Sequence, residues 1–265
     1  MQYQIGFIGC GNMGGALARA VCKAIGGENV AVCDYDVAKT NKLQQQFGAT
    51  PLSILDLAQS CKFIVLGVKP QNMQETTAQM KEVLRLRSDV VVITMAAGVS
   101  TSAIRTYLGE NLPVIRIMPN TPAELGQGMI LYTLLDVSQT DEQAFLQCFA
   151  KAGIMDKIPE DKIDAGSALS GCGPAFVYAF AEALADAGVE CGVARDKANL
   201  YTAQTLLGAA EMLLTFGHPA DLKDAVCSPG GTTIAGIHAL EDAGFRGAVM
   251  DAVTTAYKRT LELKK

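Results

Sequence analysis

From the N-terminus to about residue 158, apolar residues fall into short continuous runs separated by stretches of helical spacing. Runs at 3–8, 29–33, 63–68, 90–95 and 114–118 predict strands, and 63–68 is apolar enough for burial on both faces. Further strands are expected at 129–133 and 154–157. Helical periodicity follows at 16–21, 37–47 and 54–59, from Pro70 to about 86, and at 100–108 and 140–150. Gly48 closes the second of these helices and Pro51 breaks the chain after it. Such alternation predicts a parallel sheet covered by helices on both faces. From about Pro159 the β-branched runs stop and helical spacing takes over, at 176–187, 195–214, 220–225, 232–240 and 245–263. The 176–187 segment is apolar nearly all round, as for a helix buried on several sides. Pro174 just inside its start and Gly188 just past its end give it the usual asymmetry.

The first strand runs into Gly9-Cys10-Gly11-Asn12-Met13-Gly14 and then into a helix. This is G-x-G-x-x-G in the strand–turn–helix setting that gives the pattern meaning. Gly9 permits a tight turn, Gly11 lets a pyrophosphate approach the backbone, and Gly14 lets helix and strand pack closely. The helix start offers free N–H groups and a positive dipole end to phosphate. The expected fold is therefore α/β: a Rossmann-type doubly wound sheet over 1–158, followed by an all-α domain over 159–265. Open sheets of this kind bind ligands at the carboxyl ends of their strands. There the segments 9–14, 67–70, 96–98 and 119–122 should line one crevice.

Composition narrows the reading. The 265 residues are 49% hydrophobic and 18% charged, apolar enough to hide surface in an oligomer as well as in a core. A net charge of -5 argues against a nucleic-acid partner. Eight cysteines (Cys10, Cys22, Cys33, Cys61, Cys148, Cys172, Cys191 and Cys227) stand singly, with no C-x-x-C pair. They are expected to be reduced, small and apolar, with no metal site among them. A strand at the very start leaves no room for a signal peptide, so a cytoplasmic enzyme is expected. The apolar stretch 175–187 contains Glu182 and Asp186 and is too short to span a bilayer, so no membrane partner is expected.

Candidate chemistry is sparse. His218 and His238 are the only histidines, one before a proline and one in a helical pattern, and both read as structural. No nucleophile elbow or H-E-x-x-H occurs, so a cofactor must carry the hard chemistry. The polar exception in the helical half is Cys227-Ser228-Pro229-Gly230-Gly231-Thr232-Thr233, which opens a helix with free N–H groups beside three hydroxyls. It reads as a second anion site, suited to a carboxylate; the alternative is an ordinary loop with a threonine cap.

Across its whole length the chain resembles the Δ1-pyrroline-5-carboxylate reductases. The resemblance rests on residues 5–14, Val68-Lys69-Pro70-Gln71, Ala96-Ala97-Gly98-Val99, 116–122, 169–175 and, most specifically, 227–236. Cys172 stands where the family more often has serine. The resemblance implies NADPH- or NADH-dependent reduction of the cyclic imine 1-pyrroline-5-carboxylate to L-proline, the last step of proline biosynthesis. It implies that Thr233 is the catalytic contact to the ring nitrogen, and that Ser228, Gly230, Gly231 and Thr232 hold the carboxylate. Gly9, Gly11, Asn12, Met13, Gly14, Asp34, Gly67, Val68, Lys69, Pro70, Ala96, Ala97 and Asn120 would hold the cofactor. Members form domain-interchanged homodimers through the helical domain, in which one subunit's substrate loop completes another's site, and several assemble into decamers.

Two rivals are testable by residue type. A β-hydroxyacid dehydrogenase on this scaffold would pair a catalytic lysine with an asparagine on one helix, but Lys197 and Asn199 are spaced to face different directions. A non-enzymatic dinucleotide sensor would lose the 228–233 loop, which is intact. On cofactor choice, Asp34 falls where an acid accepts the adenosine ribose 2′-OH and repels a 2′-phosphate. Asp36 adds a charge, Lys39 and Lys42 on the following helix could reach a phosphate but read first as a solvated helix face, and no arginine lies between Arg19 and Arg85. Both cofactors are expected to work, with NADH used unusually well for the family.

Overall fold

The computed structural model describes residues 2–109 and 111–263. Its sheet is built from β1 (Tyr3–Ile8), β2 (Val30–Cys33), β3 (Thr50–Pro51), β4 (Cys61–Leu66), β5 (Val91–Thr94), β6 (Val114–Met118), β7 (Gly128–Leu135) and β8 (Gly153–Lys157). The helices between them are α1 (Asn12–Ile25), α2 (Val37–Phe47), α3 (Ile54–Ser60), α4 (Met73–Leu84), α5 (Thr101–Leu108) and α6 (Gln139–Cys148), and α7 (Glu160–Ser170) follows β8. Strand order is β3-β2-β1-β4-β5-β6-β7-β8. Along β4, Phe63 and Val65 enter one core while Ile64 and Leu66 enter the other. A strand covered on both faces has no polar side to show, which is why its sequence is an unbroken apolar run. One core is completed by Leu17 and Val21 of α1 with Phe145 of α6, the other by Leu57, Met80 and Ile104 of α3, α4 and α5.

The helix starts follow from side chains that relieve orphan N–H groups. Asp36, Ser53, Ser100 and Ser138 accept from the first turns of α2, α3, α5 and α6. Gly48 and Gly109 end α2 and α5 at φ 76° and φ 70°, a left-handed cap that glycine adopts without penalty.

Four local expectations are corrected. The sheet is not wholly parallel: β7 runs antiparallel to β6, while β8 is parallel to β7. The link from β6 to β7 holds only a 3-10 turn (Thr121–Leu125) and no crossover helix, and a parallel return needs one. Pro51 does not only break the chain, for Thr50–Pro51 forms a two-residue edge strand, where a proline is tolerated. The helix expected over 176–187 extends through Gly188 to Glu190. Gly188 lies inside the helix, where a Cβ would meet Ala198 at 3.4 Å, an ordinary contact, so it does not end α8. The turn is made instead by Gly192, at φ 92°.

Two compact units result, residues 2–172 with 256–263, and Gly173–Thr255. The first includes α7, which packs on β7. The second is helical: α8 (Gly173–Glu190), α9 (Arg195–Phe216), α10 (Pro219–Ala225), α11 (Thr232–Asp242) and most of α12 (Phe245–Glu262). Here α8 pairs with α9 yet buries only Ala185, and Tyr178, Phe180, Tyr201, Leu207, Leu214 and Met250 are exposed. The helical run Glu160–Glu190, α7 and α8 together, is long and apolar enough to cross a membrane by length and composition, a property that 175–187 alone did not suggest.

α7 is held by charge. Arg116 on β6 is 1% exposed and its guanidinium pairs with Asp164 of α7. Glu160, at the start of α7, accepts from the Thr101 N–H at 2.7 Å and the Thr101 hydroxyl at 2.8 Å, and lies 3.8 Å from Arg116. Breaking a buried pair strands one charge, at about 3–5 kcal/mol, whereas replacing both partners by apolar residues is often near neutral. Asp164→Ala should therefore lower the urea midpoint strongly, and the double variant Arg116→Met with Asp164→Leu should recover most of it. Equal loss in the two proteins would show that the pair contributes through something other than its charges.

Candidate active site

Strand order reverses between β2-β1 and β4, so the loops leaving β1 and β4 diverge and open a crevice. The glycine turn sits at that point. Gly9 has φ +95°, and a Cβ on it would lie 2.7 Å from the backbone of Gly67. A Cβ on Gly14 would lie 2.0 Å from the Gly9 carbonyl, while one on Gly11 meets nothing within 4 Å. Two of the glycines thus exist for backbone contact and the middle one for open space. The strands are tied at this end by Gly9 N–H to the Cys33 carbonyl (2.8 Å) and Gly67 N–H to the Ile8 carbonyl (2.7 Å). α1 begins at Asn12 with no side-chain cap, so its first N–H groups face the turn with no helical partner.

Beside this turn lies a cavity of about 530 Å³. Gly9, Gly11, Asp34, Gly67, Val68 and Lys69 of the expected cofactor residues line it. The other expected residues, Asn12, Met13, Gly14, Pro70, Ala96, Ala97 and Asn120, lie outside that lining. Ala96 is buried and Ala97 exposed on the loop after β5. Asn120 has its amide engaged: Nδ2 donates to the Ser170 carbonyl at 3.0 Å and Oδ1 accepts from the Met129 N–H at 2.9 Å. It fastens the end of β6 to β7 and α7. Tyr35, Ile54 and Thr76 line the cavity unannounced by the sequence reading, because they carry no motif and reach it only through the fold. A glycine floor, free N–H groups at a helix start and a cavity of this volume fit a dinucleotide.

Asp34 is 4% exposed at its side chain and already bonded: its carboxylate accepts from the Cys10 N–H at 2.7 Å and from the Asp36 N–H at 2.9 Å. Lys39 is not simply a solvated helix residue, since it lines the cavity, with Nζ 3.6 Å from Asp34 and 3.6 Å from Asp36. Burial, and then the Asp34 charge, pushes the Cys10 thiol up to about 12. Burial and Asp34 also raise Cys33. Neither is a nucleophile at neutral pH, and all eight cysteines are free.

In the helical unit, Ser228, Thr232 and Thr233 are exposed around the start of α11. Gly230 has φ +68°, and the Gly231 N–H donates to the Ser228 carbonyl at 3.0 Å. A Cβ on Gly231 would fall 2.3 Å from Ser228 Oγ, so glycine there lets the serine hydroxyl fold over the helix start. Gly231 is the N-cap and no side chain caps α11. The loop gathers the expected substrate residues at one helix N-terminus. Lys197 and Asn199 are both exposed near the start of α9, with the buried Ala198 between them.

Comparison with known proteins agrees with both units. A family model described as pyrroline-5-carboxylate reductase dimerisation matches residues 160–263, and one described as NADP oxidoreductase coenzyme F420-dependent matches residues 4–98. A pyrroline-5-carboxylate reductase from Methanosarcina acetivorans is 39% identical, over 99% of this chain and 98% of that protein. The Escherichia coli enzyme of the same name is 37% identical over the full length of both. Among solved structures, Plasmodium falciparum pyrroline carboxylate reductase with NADP bound superposes at a TM-score of 0.89, with 32% identity over the whole of both chains. A Coxiella burnetii pyrroline-5-carboxylate reductase gives a TM-score of 0.90 at 30% identity, again over the whole of both chains. With glycine turn, crevice and α11 loop in place along a full-length match, the chain belongs to the pyrroline-5-carboxylate reductase family.

Proposed function

We propose that the protein reduces 1-pyrroline-5-carboxylate to L-proline with NADPH or NADH. The observation that carries this reading is the full-length likeness to reductases of that name, with the α11 loop intact. The glycine turn and the crevice beside it hold the cofactor, and a reduced nicotinamide, when bound, supplies the hydride. Free N–H groups at the start of α11, with the Ser228 and Thr232 hydroxyls, bind the substrate carboxylate. The Thr233 hydroxyl bonds the ring nitrogen and orients the C=N bond. No side-chain nucleophile is required, because a protonated imine is already electrophilic. Orientation is then the main contribution of the protein.

The exposed apolar faces of α8 and α9 are covered by a second copy of the chain. Exposed apolar area of this extent marks an interface, and the dimerisation model matched at 160–263 supports a homodimer through this unit. The same pairing accounts for the apolar run 160–190 without a membrane. A cytoplasmic location and assembly of dimers into a decamer complete the proposal.

Purified protein should consume NADPH or NADH when given pyrroline-5-carboxylate and should release L-proline, with no divalent metal added. No turnover with either cofactor would refute the reading. Thr233→Ala should lower kcat/KM by about 10- to 150-fold, the equivalent of about 1.5–3 kcal/mol for a hydrogen bond to a charged group. Gly231→Val should raise KM for the imine while leaving the cofactor Kd unchanged, because its side chain displaces Ser228. Wild-type kinetics in both variants would place the substrate elsewhere. In sedimentation the active species should be a dimer or larger. Tyr178→Glu, on the exposed face of α8, should yield an inactive monomer; a fully active monomer would overturn the assembly proposal.

A further inference from the structure

We propose that Lys39 reads the 2′ position of the adenosine ribose, and that Asp34, although at the usual selector position, is a rivet of the glycine turn. The proposal rests on the dinucleotide reading above and asks which residue discriminates between a 2′-hydroxyl and a 2′-phosphate.

An acid that accepts a ribose hydroxyl needs lone pairs turned toward the cavity. The Asp34 carboxylate borders the cavity, but each of its oxygens already accepts a backbone N–H. Oδ2 takes the Cys10 N–H at 2.7 Å, which fixes the middle of the Gly9–Gly11 turn to the end of β2. Oδ1 takes the Asp36 N–H at 2.9 Å, which sets the tight turn leading into α2. With its side chain only 4% exposed, the group is occupied by backbone. Ionised carboxylate bonds to N–H donors of this length are among the stronger ones available to a chain. Asp34 therefore shapes the turn that any dinucleotide would meet, whatever its 2′ substituent.

The outward side of Asp34 is covered by Lys39. Its ammonium is 3.6 Å from Asp34 Oδ1 and 3.6 Å from Asp36 Oδ2, and it stands 5.1 Å from the centroid of the Tyr35 ring. These ion-pair distances exceed those of direct charge-assisted bonds, so the three ammonium donors are not saturated. Its side chain is 37% exposed, and it lines the cavity together with Asp34 and Tyr35, whereas Lys42 does not. A point charge with free donors, held by two carboxylates in the cavity lining and beside it, is suited to a phosphate monoester. Without Lys39 the charges beside that end of β2 would be those of Asp34 and Asp36; a 2′-hydroxyl carries no charge and loses little.

The test is equilibrium binding of NADPH and of NADH, by reduced-nicotinamide fluorescence or calorimetry, to wild type, Lys39→Ala and Asp34→Asn. Lys39→Ala should weaken NADPH by about tenfold or more, the scale of one lost charge-assisted contact, and leave NADH within about twofold. Asp34→Asn turns an acceptor into a donor facing a backbone N–H, and should weaken both cofactors by similar factors. An unchanged NADPH-to-NADH ratio in Lys39→Ala overturns the proposal, as does a selective loss of NADH in Asp34→Asn. If Asp34→Asn fails to fold, that supports the rivet, and Lys39→Ala still decides the selector. Failure of wild type to bind either cofactor would instead sink the dinucleotide reading itself, and a normal wild type with an unchanged ratio would sink only this inference.

Discussion

Three stretches of bare backbone must touch for the cofactor crevice to exist. Gly9, Gly14 and Gly67 pack so closely that a methyl group at any of them would sit 2.0 to 2.7 Å from a neighbouring carbonyl group. Neither contact can give way cheaply, because the atoms met are main chain and not the ends of flexible side chains. The approach brings the exits of β1 and β4 together where the strand order reverses. It also turns the uncapped start of α1 toward the place where phosphate would lie. Gly11 is the complement: with nothing near its missing Cβ, it leaves open the space that its neighbours enclose.

The crevice is held from its outer sides by polar bonds. Asp34 pins the glycine turn to the end of β2. Asn120 fastens the β6 exit to β7 and to the last turn of α7. Glu160, at the first turn of α7, clasps Thr101 at the start of α5, directly after the loop at 96–98. α7 is thus tied at both ends to the carboxyl edge of the sheet, and the Arg116–Asp164 pair lies between those ties. Asp34, Asn120 and Glu160 thus act as fasteners, while glycine surfaces, Lys39 and Lys69 are among what lines the crevice.

Most of this architecture could be read from the chain because its causes are local. Buried parallel strands need unbroken apolar runs, and 114–118 coincides with β6 residue for residue. The turn and the end of α2 are equally plain, through glycine spacing and the Gly48 cap, whereas Asp36, read only as a charge, proves to be the N-cap. What escaped reading depends on partners far along the chain. α7 has a mixed polar sequence, and it becomes understandable only once Ile163 and Asp164 are seen buried against the sheet. The reversal of β7 follows from the length of a link, not from any residue within the strand. Asp34 was recognised by position, yet its use is set by two N–H groups whose direction no sequence pattern states. Lys39 could not be told from Lys42 in the sequence, because the cavity that Lys39 alone of the two lines is completed by residues from α3 and α4.

The helical unit obeys a different economy. Its longest helices bury almost nothing within the chain, with Ala185 on α8 and Ala198 and Thr202 on α9 as their buried positions. A unit of this size cannot be stable with Tyr178, Leu207, Leu214 and Met250 in water and little core of its own. With the missing core supplied by another copy, as proposed, folding of this unit and assembly of the enzyme become one process. That has a consequence for the α11 loop, which opens at Gly230 and Gly231 within the same unit. Its geometry is local to the loop, but the platform that carries it is completed only by the partner. Substrate binding should therefore be sensitive to substitutions on α8 and α9 that touch no ligand, whereas the glycine turn, set in a fully packed sheet, should be indifferent to them.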